Sequence, residues 1–298
     1  MDDRSVYGPQ GHSPWLDVDW RVHQRWVILD GQPVNVIERG AGPPLVFVHG
    51  LIERWTHWLE QLPAFAGHRV IAMDLPGFGN SPMPKERISI PLYARTLEKL
   101  LERLEISAAA FVGHSMGGFA SAQLAINCPQ LVDRLVLVCP AGLSTYANRR
   151  DLRLVAQMRR FKRIVNAYHT RVSAHAELFA RHPRLRLLEP TTHIVARHSD
   201  RLPAPFVAEL VRALGAPGYI EGMEANFNYD YRDRLKEIAC PTLIVWGERD
   251  RVVSAKDADV YEQLIPNARK VILKDTGHLP MIERPAAFNA LLEEFLSE

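Results

Sequence analysis

The sequence has little net charge and few cysteines, and both shortages exclude classes of protein. A formal net charge of +2 over 298 residues argues against a dedicated nucleic-acid binder, whose basic excess is normally large and clustered. The three cysteines, Cys128, Cys139 and Cys240, have no CxxC spacing, which argues against a disulfide framework and a zinc site. We therefore expect no nucleic-acid partner, no metal and no organic cofactor, and a small molecule as substrate.

Long apolar runs are also missing. No segment reaches the roughly 18 consecutive apolar residues of a membrane-spanning helix, and the first residues, MDDRSVYGPQGHSPW, lack the apolar stretch of a secretory signal. We expect a cytoplasmic protein without stable membrane insertion. Residues 1–22 are rich in Gly, Pro and Asp and have no hydrophobic period, so we interpret them as a loosely ordered N-terminal arm with Trp15 and Trp20 as candidate anchors.

After this arm, the apolar residues follow the pattern of a sheet. The segment RWVILDGQPVNVIERG has two alternating runs around Asp30-Gly31, which is typical of a β-hairpin. Short apolar runs then alternate with helical stretches, as in a mostly parallel sheet with helices on both faces. The predicted strand runs are 45–48, 70–73, 109–112, 135–138, 243–245 and 271–273. The pattern predicts one α/β core, formed by residues 23–143 and 236–298.

The alternation stops between residues 144 and 235. This stretch contains the helical patterns DLRLVAQMRRFKRIV, AELFARH and PFVAELVRAL, separated by prolines. We interpret residues 144–235 as a helical cap inserted after the strand that ends near Cys139. Its first helix, around residues 149–163, is strongly basic with an apolar stripe, and packing on the core is favoured over contact with an anionic membrane.

The segment AAAFVGHSMGG joins an apolar run to the motif Gly113-His114-Ser115-Met116-Gly117. A sharp turn from strand to helix strains its central residue, and flanking glycines let the neighbouring chain pass closely. Ser115 would stand at the positive end of the following helix, where an oxyanion is stabilised. The motif therefore predicts Ser115 as a nucleophile.

A serine nucleophile needs a base, and twelve histidines are available. His278 follows the last strand run directly, so its loop lies at the carboxyl edge of the strands, where open α/β sheets form their sites. His49 and His114 lie near the same edge, but in motifs where backbone geometry is the main demand. We therefore predict His278 as the base and expect packing or hydrogen bonding from the other two.

The acid that orients the histidine should also follow a strand. Asp250 comes shortly after the run 243–245, in the sequence WGERD, and Glu248 in the same loop is the alternative. With Asp250 as the acid, the predicted catalytic residues follow in the chain order Ser115, Asp250 and His278. This is the nucleophile, acid, base order of serine hydrolases with an open α/β sheet.

An oxyanion hole needs two N–H donors directed at the developing negative charge. We predict the backbone amides of Met116, directly after the nucleophile, and of Leu51, in the loop after the run 45–48. The pocket walls should be apolar residues of nearby loops and of the cap. The candidates are Ile52, Leu143, Phe206, Phe227 and Leu279. Such walls suit a hydrophobic acyl or aromatic group.

As a set, these motifs resemble the α/β-hydrolase superfamily, in its cap-bearing branch of serine hydrolases. The resemblance covers about residues 25 to 298 and rests on HG at 49–50, DLPGFGNS at 74–81, GHSMGG at 113–118, GERD at 247–250 and GH at 277–278. It implies the α/β-hydrolase fold with a helical cap, and a structural part for Asp74. The related haloalkane dehalogenases and epoxide hydrolases carry an aspartate where this chain has Ser115, which argues against those chemistries.

The resemblance implies hydrolysis of carboxylic esters with hydrophobic acyl or aromatic groups, through an acyl-enzyme. The main alternative is a C–C bond hydrolase of aromatic ring-cleavage products, which uses the same triad. Many such enzymes carry asparagine before the nucleophile and a loop rich in glycine and proline, whereas this chain has His114 and GLIE at residues 50–53. A lactonase, a haloperoxidase-like perhydrolase and a non-catalytic binding protein are further alternatives, because a fold alone assigns no substrate.

Overall fold

The computed structural model describes residues 6–145, 162–182 and 190–298, together with residues 153, 156, 157, 159 and 160. Its centre is a sheet of eight strands. These are β1 (Gln24–Leu29), β2 (Gln32–Arg39), β3 (Pro44–Val48), β4 (Arg69–Met73), β5 (Ala109–His114), β6 (Val132–Val138), β7 (Thr242–Gly247) and β8 (Ala268–Leu273). Every strand run predicted from the sequence lies within one of them.

The strands lie in the order β1-β2-β4-β3-β5-β6-β7-β8. β1 and β2 form the predicted antiparallel hairpin, whose turn residues Asp30 and Gly31 have φ of 49° and 75°. β2 is antiparallel to β4, and all later neighbours are parallel. The carboxyl ends of β3 and β5 to β8 therefore meet at one edge of the sheet, and the loops after them can form one site.

Ten α-helices can be assigned within the described residues. They are α1 (Ile90–Arg103), α2 (Met116–Asn127), α3 (Lys162–Ala174), α4 (Ala176–Arg181), α5 (Pro190–Val195), α6 (Ala204–Ala213), α7 (Tyr219–Asn228), α8 (Asp257–Leu264), α9 (Pro280–Glu283) and α10 (Pro285–Ser297). Ser89 caps α1, because its side chain accepts the Leu92 N–H. Pro285 occupies the first turn of α10, as the sequence predicts. The mostly parallel sheet surrounded by helices confirms the predicted fold class.

The helices α3 to α7 lie between β6 and β7 in the chain, and we call them the cap. α3 and α4 pack on α6, and the Ser173 hydroxyl donates to the Arg212 carbonyl over 2.8 Å. The basic helix predicted around residues 149–163 lies largely outside the described residues. Of its arginines, the exposed Arg159 pairs with Glu224 of α7 at 3.3 Å. Among the described helices, none has the length and apolar character needed to cross a membrane.

The described part of the N-terminal arm contacts the rest of the protein through its aromatic side chains. Both tryptophans serve as anchors. Trp15 donates a hydrogen bond to Glu60 over 2.8 Å and stacks edge-on against Phe206 of α6, with ring centres 5.5 Å apart. Trp20 lies 5.5 Å from the ring of Trp55. Indole rings bury a large apolar area and satisfy their N–H at the same time, so they fix a segment that has no hydrophobic period.

Candidate active site

Ser115 lies at the turn from β5 into α2. Its φ of 51° and ψ of −117° form a combination that non-glycine residues rarely adopt, at a cost of about 1–3 kcal/mol. Main-chain hydrogen bonds hold this turn on both sides. The Ser115 N–H donates to Val138 over 2.9 Å, and its carbonyl accepts from Phe119 at 3.0 Å and Ala141 at 3.1 Å. The predicted nucleophile thus occupies a strained, fixed turn at the carboxyl edge of the sheet.

Glycine is required on both sides of this turn. A Cβ at Gly117 would lie 2.3 Å from the Val48 carbonyl oxygen, and a Cβ at Gly113 would lie 2.6 Å from the Gly117 carbonyl oxygen. Both distances are far shorter than atoms tolerate, so the backbones of β3, β5 and α2 pass each other with no room for side chains. This close approach brings the loop after β3 to the start of α2.

His278 and Asp250 form a buried hydrogen-bonded pair. His278 Nδ1 donates to Asp250 Oδ2 over 2.7 Å, which leaves Nε2 as the ring nitrogen free of this contact. The second Asp250 oxygen accepts the N–H groups of Val252 at 2.8 Å and Val253 at 3.0 Å. The carboxylate is therefore fixed before it orients the imidazole. Glu248 instead pairs with its neighbour Arg249 at 3.2 Å, so the structure brings Asp250 to the histidine.

The pKa shifts of the pair agree with this geometry. Burial would lower the pKa of His278, but the Asp250 carboxylate, with smaller contributions from Glu53 and Glu283, raises it above its usual value. Burial would likewise raise the pKa of Asp250, but the imidazole and the two backbone N–H groups lower it. The pair therefore favours an ionised aspartate beside a histidine that takes up a proton readily.

The side chains of the two other histidines at this edge form hydrogen bonds with backbone groups of nearby loops, as the sequence predicts. His114 Nε2 donates to the His278 carbonyl over 2.7 Å, and the two rings lie 4.6 Å apart. His49 Nδ1 donates to the Gly50 carbonyl over 2.7 Å, and its Nε2 accepts the Leu75 N–H at 2.9 Å. Each imidazole thus links the segment that carries it to a second segment near the site, which contains His278 in one case and Leu75 in the other.

Glu53 is a site residue that the sequence reasoning missed. It is buried under the loop after β3, where one carboxylate oxygen accepts the Gly50 N–H at 2.6 Å and the other lies 2.7 Å from His114 Nδ1. Burial alone would raise the pKa of Glu53, but the neighbouring imidazoles and the Gly50 N–H lower it. The carboxylate thus fixes the backbone directly before Leu51. In the sequence, nothing separates this acid from an ordinary surface glutamate.

The predicted oxyanion donors, Leu51 and Met116, lie beneath one cap helix. Met116 is the first residue of α2, where backbone N–H groups have no acceptor within the helix. A Cβ at Gly222 of α7 would lie 2.6 Å from Leu51 Cδ1 and 3.4 Å from Met116 Sδ. The same Cβ would lie 3.0 Å from Phe78. Cap helix α7 therefore packs against the side chains of both residues that carry the predicted donors, and Phe78 joins the apolar surroundings although the sequence reasoning did not single it out.

The five predicted wall residues have different surroundings. Ile52 and Phe227 are half-buried, whereas Leu143, Phe206 and Leu279 are buried. Ile52 and Leu279 directly follow site residues, and Phe227 lies on α7 with Gly222. The ring of Phe206 packs against Trp15 of the arm, so part of its surface is occupied by that contact. A part in substrate binding stays a prediction for all five.

Cys139 lies beside the pair, and its donor atom is within 4.8 Å of those of Asp250 and His278. Burial, Asp250 and Glu283 raise the pKa of Cys139 well above its usual value, so the thiol stays protonated. A protonated thiol beside a carboxylate and an imidazole that already bond each other is a poor metal ligand. The donor set therefore fits a hydrogen-bonded acid–base pair better than a metal centre.

Comparison with known proteins links this geometry to one family. The model of the α/β hydrolase fold family matches residues 43–285. A pimeloyl-[acyl-carrier protein] methyl ester esterase from Aeromonas hydrophila is 29% identical over 88% of this chain and 99% of its own length. A 2-hydroxy-6-oxononadienedioate/2-hydroxy-6-oxononatrienedioate hydrolase from Cupriavidus pinatubonensis is 30% identical over 88% of this chain and 90% of its own.

Other relatives are longer than this chain. Bifunctional epoxide hydrolase 2 from Sus scrofa is 26% identical over 92% of the chain, which spans only 55% of that protein. Among solved structures, Est816, described as an N-acyl homoserine lactone degrading enzyme, has a TM-score of 0.73 and 26% identity, covering 91% of this chain and all of its own. These proteins are named for different substrates, so family membership and substrate are separate questions.

Proposed function

Because the chain belongs to the α/β hydrolase fold family and is an enzyme of the hydrolase class, we propose that it is a serine hydrolase of carboxylic esters with small to medium hydrophobic acyl or aromatic groups. The observation that carries the proposal is the hydrogen-bonded pair of His278 and Asp250 at the sheet edge where Ser115 occupies its strained turn. A nucleophile, a base and an orienting acid are the parts that acyl transfer needs.

In the proposed reaction, His278 Nε2 takes the proton of the Ser115 hydroxyl while the serine oxygen bonds to the ester carbonyl carbon. The backbone N–H groups of Leu51 and Met116 stabilise the oxyanion. The bond from the carbonyl carbon to the alkoxy oxygen then breaks, and the alcohol leaves with the proton of His278. Water, deprotonated by the same histidine, attacks the acyl-enzyme and releases the acid and free Ser115.

The ester class is supported by one relative and by the local surroundings. The Aeromonas hydrophila relative is named as a methyl ester esterase. Leu51, Met116 and Phe78, whose side chains lie next to Gly222 of α7, are all apolar. Such surroundings favour an uncharged acyl chain, since burying an unpaired charge costs several kcal/mol.

Cleavage of a C–C bond in an aromatic ring-cleavage product is the second candidate. It is favoured by the Cupriavidus pinatubonensis relative, which is named as a dienedioate hydrolase. The same three residues would take the same parts, with a carbanion leaving in place of an alcohol. The tail of such a substrate is anionic, however, and needs a cationic partner that apolar surroundings do not supply.

A turnover screen tests the proposal and separates the candidates. p-Nitrophenyl butyrate, a homoserine lactone with a short acyl chain and a ring-fission dienoate are offered to the wild type and to Ser115→Ala. The expected result is rapid ester cleavage by the wild type and none by the variant. Rapid cleavage of the dienoate with slow ester turnover would assign the C–C reaction, and ester cleavage that survives Ser115→Ala would overturn the mechanism.

A further inference from the structure

The N-terminal arm reaches the segment that follows His278. Tyr7 is buried, and its hydroxyl donates a hydrogen bond to Glu283 Oε2 over 2.6 Å. The Gly8 N–H donates to the Glu283 carbonyl over 2.8 Å. The guanidinium of Arg284 lies 5.0 Å from the centre of the Tyr7 ring. Side chains and backbone thus attach the arm to two consecutive residues, Glu283 and Arg284, which lie shortly after His278 in the chain.

Glu283 holds the backbone on both sides of His278. Its side chain is fully buried, and Oε1 accepts the N–H groups of Gly277 at 3.0 Å and Leu279 at 3.1 Å. Its second oxygen, Oε2, accepts the Arg197 N–H at 2.8 Å, from the segment that follows α5. A buried carboxylate needs such donors, because leaving it without them costs several kcal/mol. The loop geometry and the buried carboxyl group therefore depend on each other.

Tyr7 completes this set of donors from outside the loop. Burial raises the pKa of Glu283, and the hydrogen bond from Tyr7 is the strongest of the contacts that counteract it. Burial and Glu283 in turn raise the pKa of Tyr7, so the hydroxyl stays protonated as a donor. The same hydroxyl accepts the His198 N–H at 2.9 Å, and the two rings meet edge-on at 5.1 Å. Tyr7 therefore joins the arm, the residues after α5 and the His278 loop at one point.

We propose that Tyr7 and Glu283 are positioning residues for His278. Asp250 orients the imidazole through Nδ1, Glu283 fixes the main chain that carries the imidazole, and Tyr7 fixes Glu283 from the arm. The inference rests on the proposed function, in which His278 is the base. It gives the arm, which precedes the family-matched residues 43–285, a part in turnover beyond its packing.

The test compares two hydroxyls of the same arm. Tyr7→Phe removes the donor but keeps the ring beside His198 and Arg284. The matched control is Ser13→Ala, because the Ser13 hydroxyl also donates to a buried carboxylate, that of Glu60, over 2.7 Å, away from the His278 loop. We expect kcat for p-nitrophenyl butyrate to fall about 3- to 10-fold in Tyr7→Phe with KM unchanged, since small misplacements of a base are costly. Ser13→Ala should keep the wild-type kcat.

A second readout follows the histidine directly. The proton between His278 Nδ1 and Asp250 gives a downfield resonance in a one-dimensional proton spectrum of the whole protein. It should shift or broaden in Tyr7→Phe and stay unchanged in Ser13→Ala, even where both variants lower Tm equally. Glu283→Gln, which replaces an acceptor by a donor, should lose more activity than Tyr7→Phe.

The outcomes separate this inference from the proposed function. If Tyr7→Phe matches Ser13→Ala in kcat and in the downfield resonance, the arm only stabilises the fold and the positioning proposal is overturned. Ser115→Ala is measured in the same assay. Should Ser115→Ala keep its turnover, the proposed function fails first, and the positioning proposal fails with it.

Discussion

The loops at the carboxyl edge of the sheet and the helices of the cap are built differently. At the edge, Ser115, Asp250 and His278 are each held by hydrogen bonds between 2.7 and 3.1 Å from backbone or buried side chains. In the cap, the described helices leave large apolar side chains in solvent. Ile164 is 67% exposed and Ile194 is 48% exposed. The edge is held by buried polar contacts, whereas the described cap helices pack on one another largely through apolar side chains.

This difference separates chemistry from substrate choice. Proton transfer and oxyanion stabilisation tolerate errors of only a fraction of an ångström, and the edge provides that accuracy through buried polar contacts. A roof over an acyl chain needs only a shape, which apolar packing provides. Changes at the edge should therefore abolish turnover of every substrate, and changes in the cap should alter the preference among substrates.

The largest effect is expected from the nucleophile. Ser115→Ala should lower ester turnover by about 10³-fold or more, because the covalent route is lost while binding remains. Ser115→Gly should be equally inactive but at least as stable as Ser115→Ala, since glycine adopts the φ of 51° found here without strain. Thermal unfolding and steady-state rates measure both. A Ser115→Gly variant that unfolds well below Ser115→Ala would contradict the strained-turn interpretation.

The second effect concerns the acid and has a pH signature. Asp250→Asn should lower kcat by about 10²- to 10⁴-fold. Activity requires neutral His278, so it falls as the pH drops through the pKa of this residue, which Asp250 raises above the usual value. Without the negative charge of Asp250, the pKa of His278 should be lower. The fall in kcat on the acid side of the pH profile should therefore move to lower pH.

Glu248→Gln is the control for the acid, because Glu248 pairs with Arg249 on the surface and should leave both the rate and the pH profile unchanged. A silent Asp250→Asn together with an inactive Glu248→Gln would assign the acid to Glu248 instead.

A smaller effect is expected beneath the loop after β3. Glu53→Gln weakens the support of Gly50 and His114, and we expect kcat to fall about tenfold, part of the 10²–10³ that a lost oxyanion donor costs. The matched control is Glu86→Gln, an exposed glutamate paired with Arg95, which should change stability by less than about 0.5 kcal/mol. Equal kcat in the two variants would remove Glu53 from the site.

The sequence predicted the edge of the sheet better than it predicted the supports of the site. The strands and the turn at Ser115 follow from local patterns, such as apolar runs, glycines and a proline at a helix start. Glu53, Glu283 and Tyr7 act through partners far along the chain; Tyr7 and Glu283 are 276 residues apart. A buried acidic residue cannot be recognised from its sequence neighbours, because most aspartates and glutamates lie on the surface.

The contacts of the N-terminal arm were likewise not predictable from local sequence patterns. Its residues have no hydrophobic period, so the sequence indicated loose order, yet single tryptophans and Tyr7 fix it through contacts with the core and α6. Such anchors depend on the shape of a surface that local patterns do not describe. The residues that line the proposed pocket cannot be predicted from local patterns for the same reason, because they come from both the cap and the loops at the sheet edge.

The smallest effects are expected in the cap, and they concern preference rather than rate. A covered apolar site gains up to about 0.8 kcal/mol per buried methylene, so kcat/KM for p-nitrophenyl esters should rise several-fold from acetate to butyrate to hexanoate. Gly222→Ala places a methyl group 2.6 Å from Leu51 Cδ1 and 3.0 Å from Phe78, so the leucine side chain must move, and we expect it to narrow the proposed acyl site. Hexanoate should therefore lose several-fold in kcat/KM, and acetate little. Gly67→Ala, where the added Cβ meets nothing within 4 Å, should follow the wild-type series. If Gly222→Ala shows the same dependence on acyl length as the wild type, α7 does not cover the acyl site. The proposal that the cap sets substrate preference while the edge performs the chemistry would then be wrong.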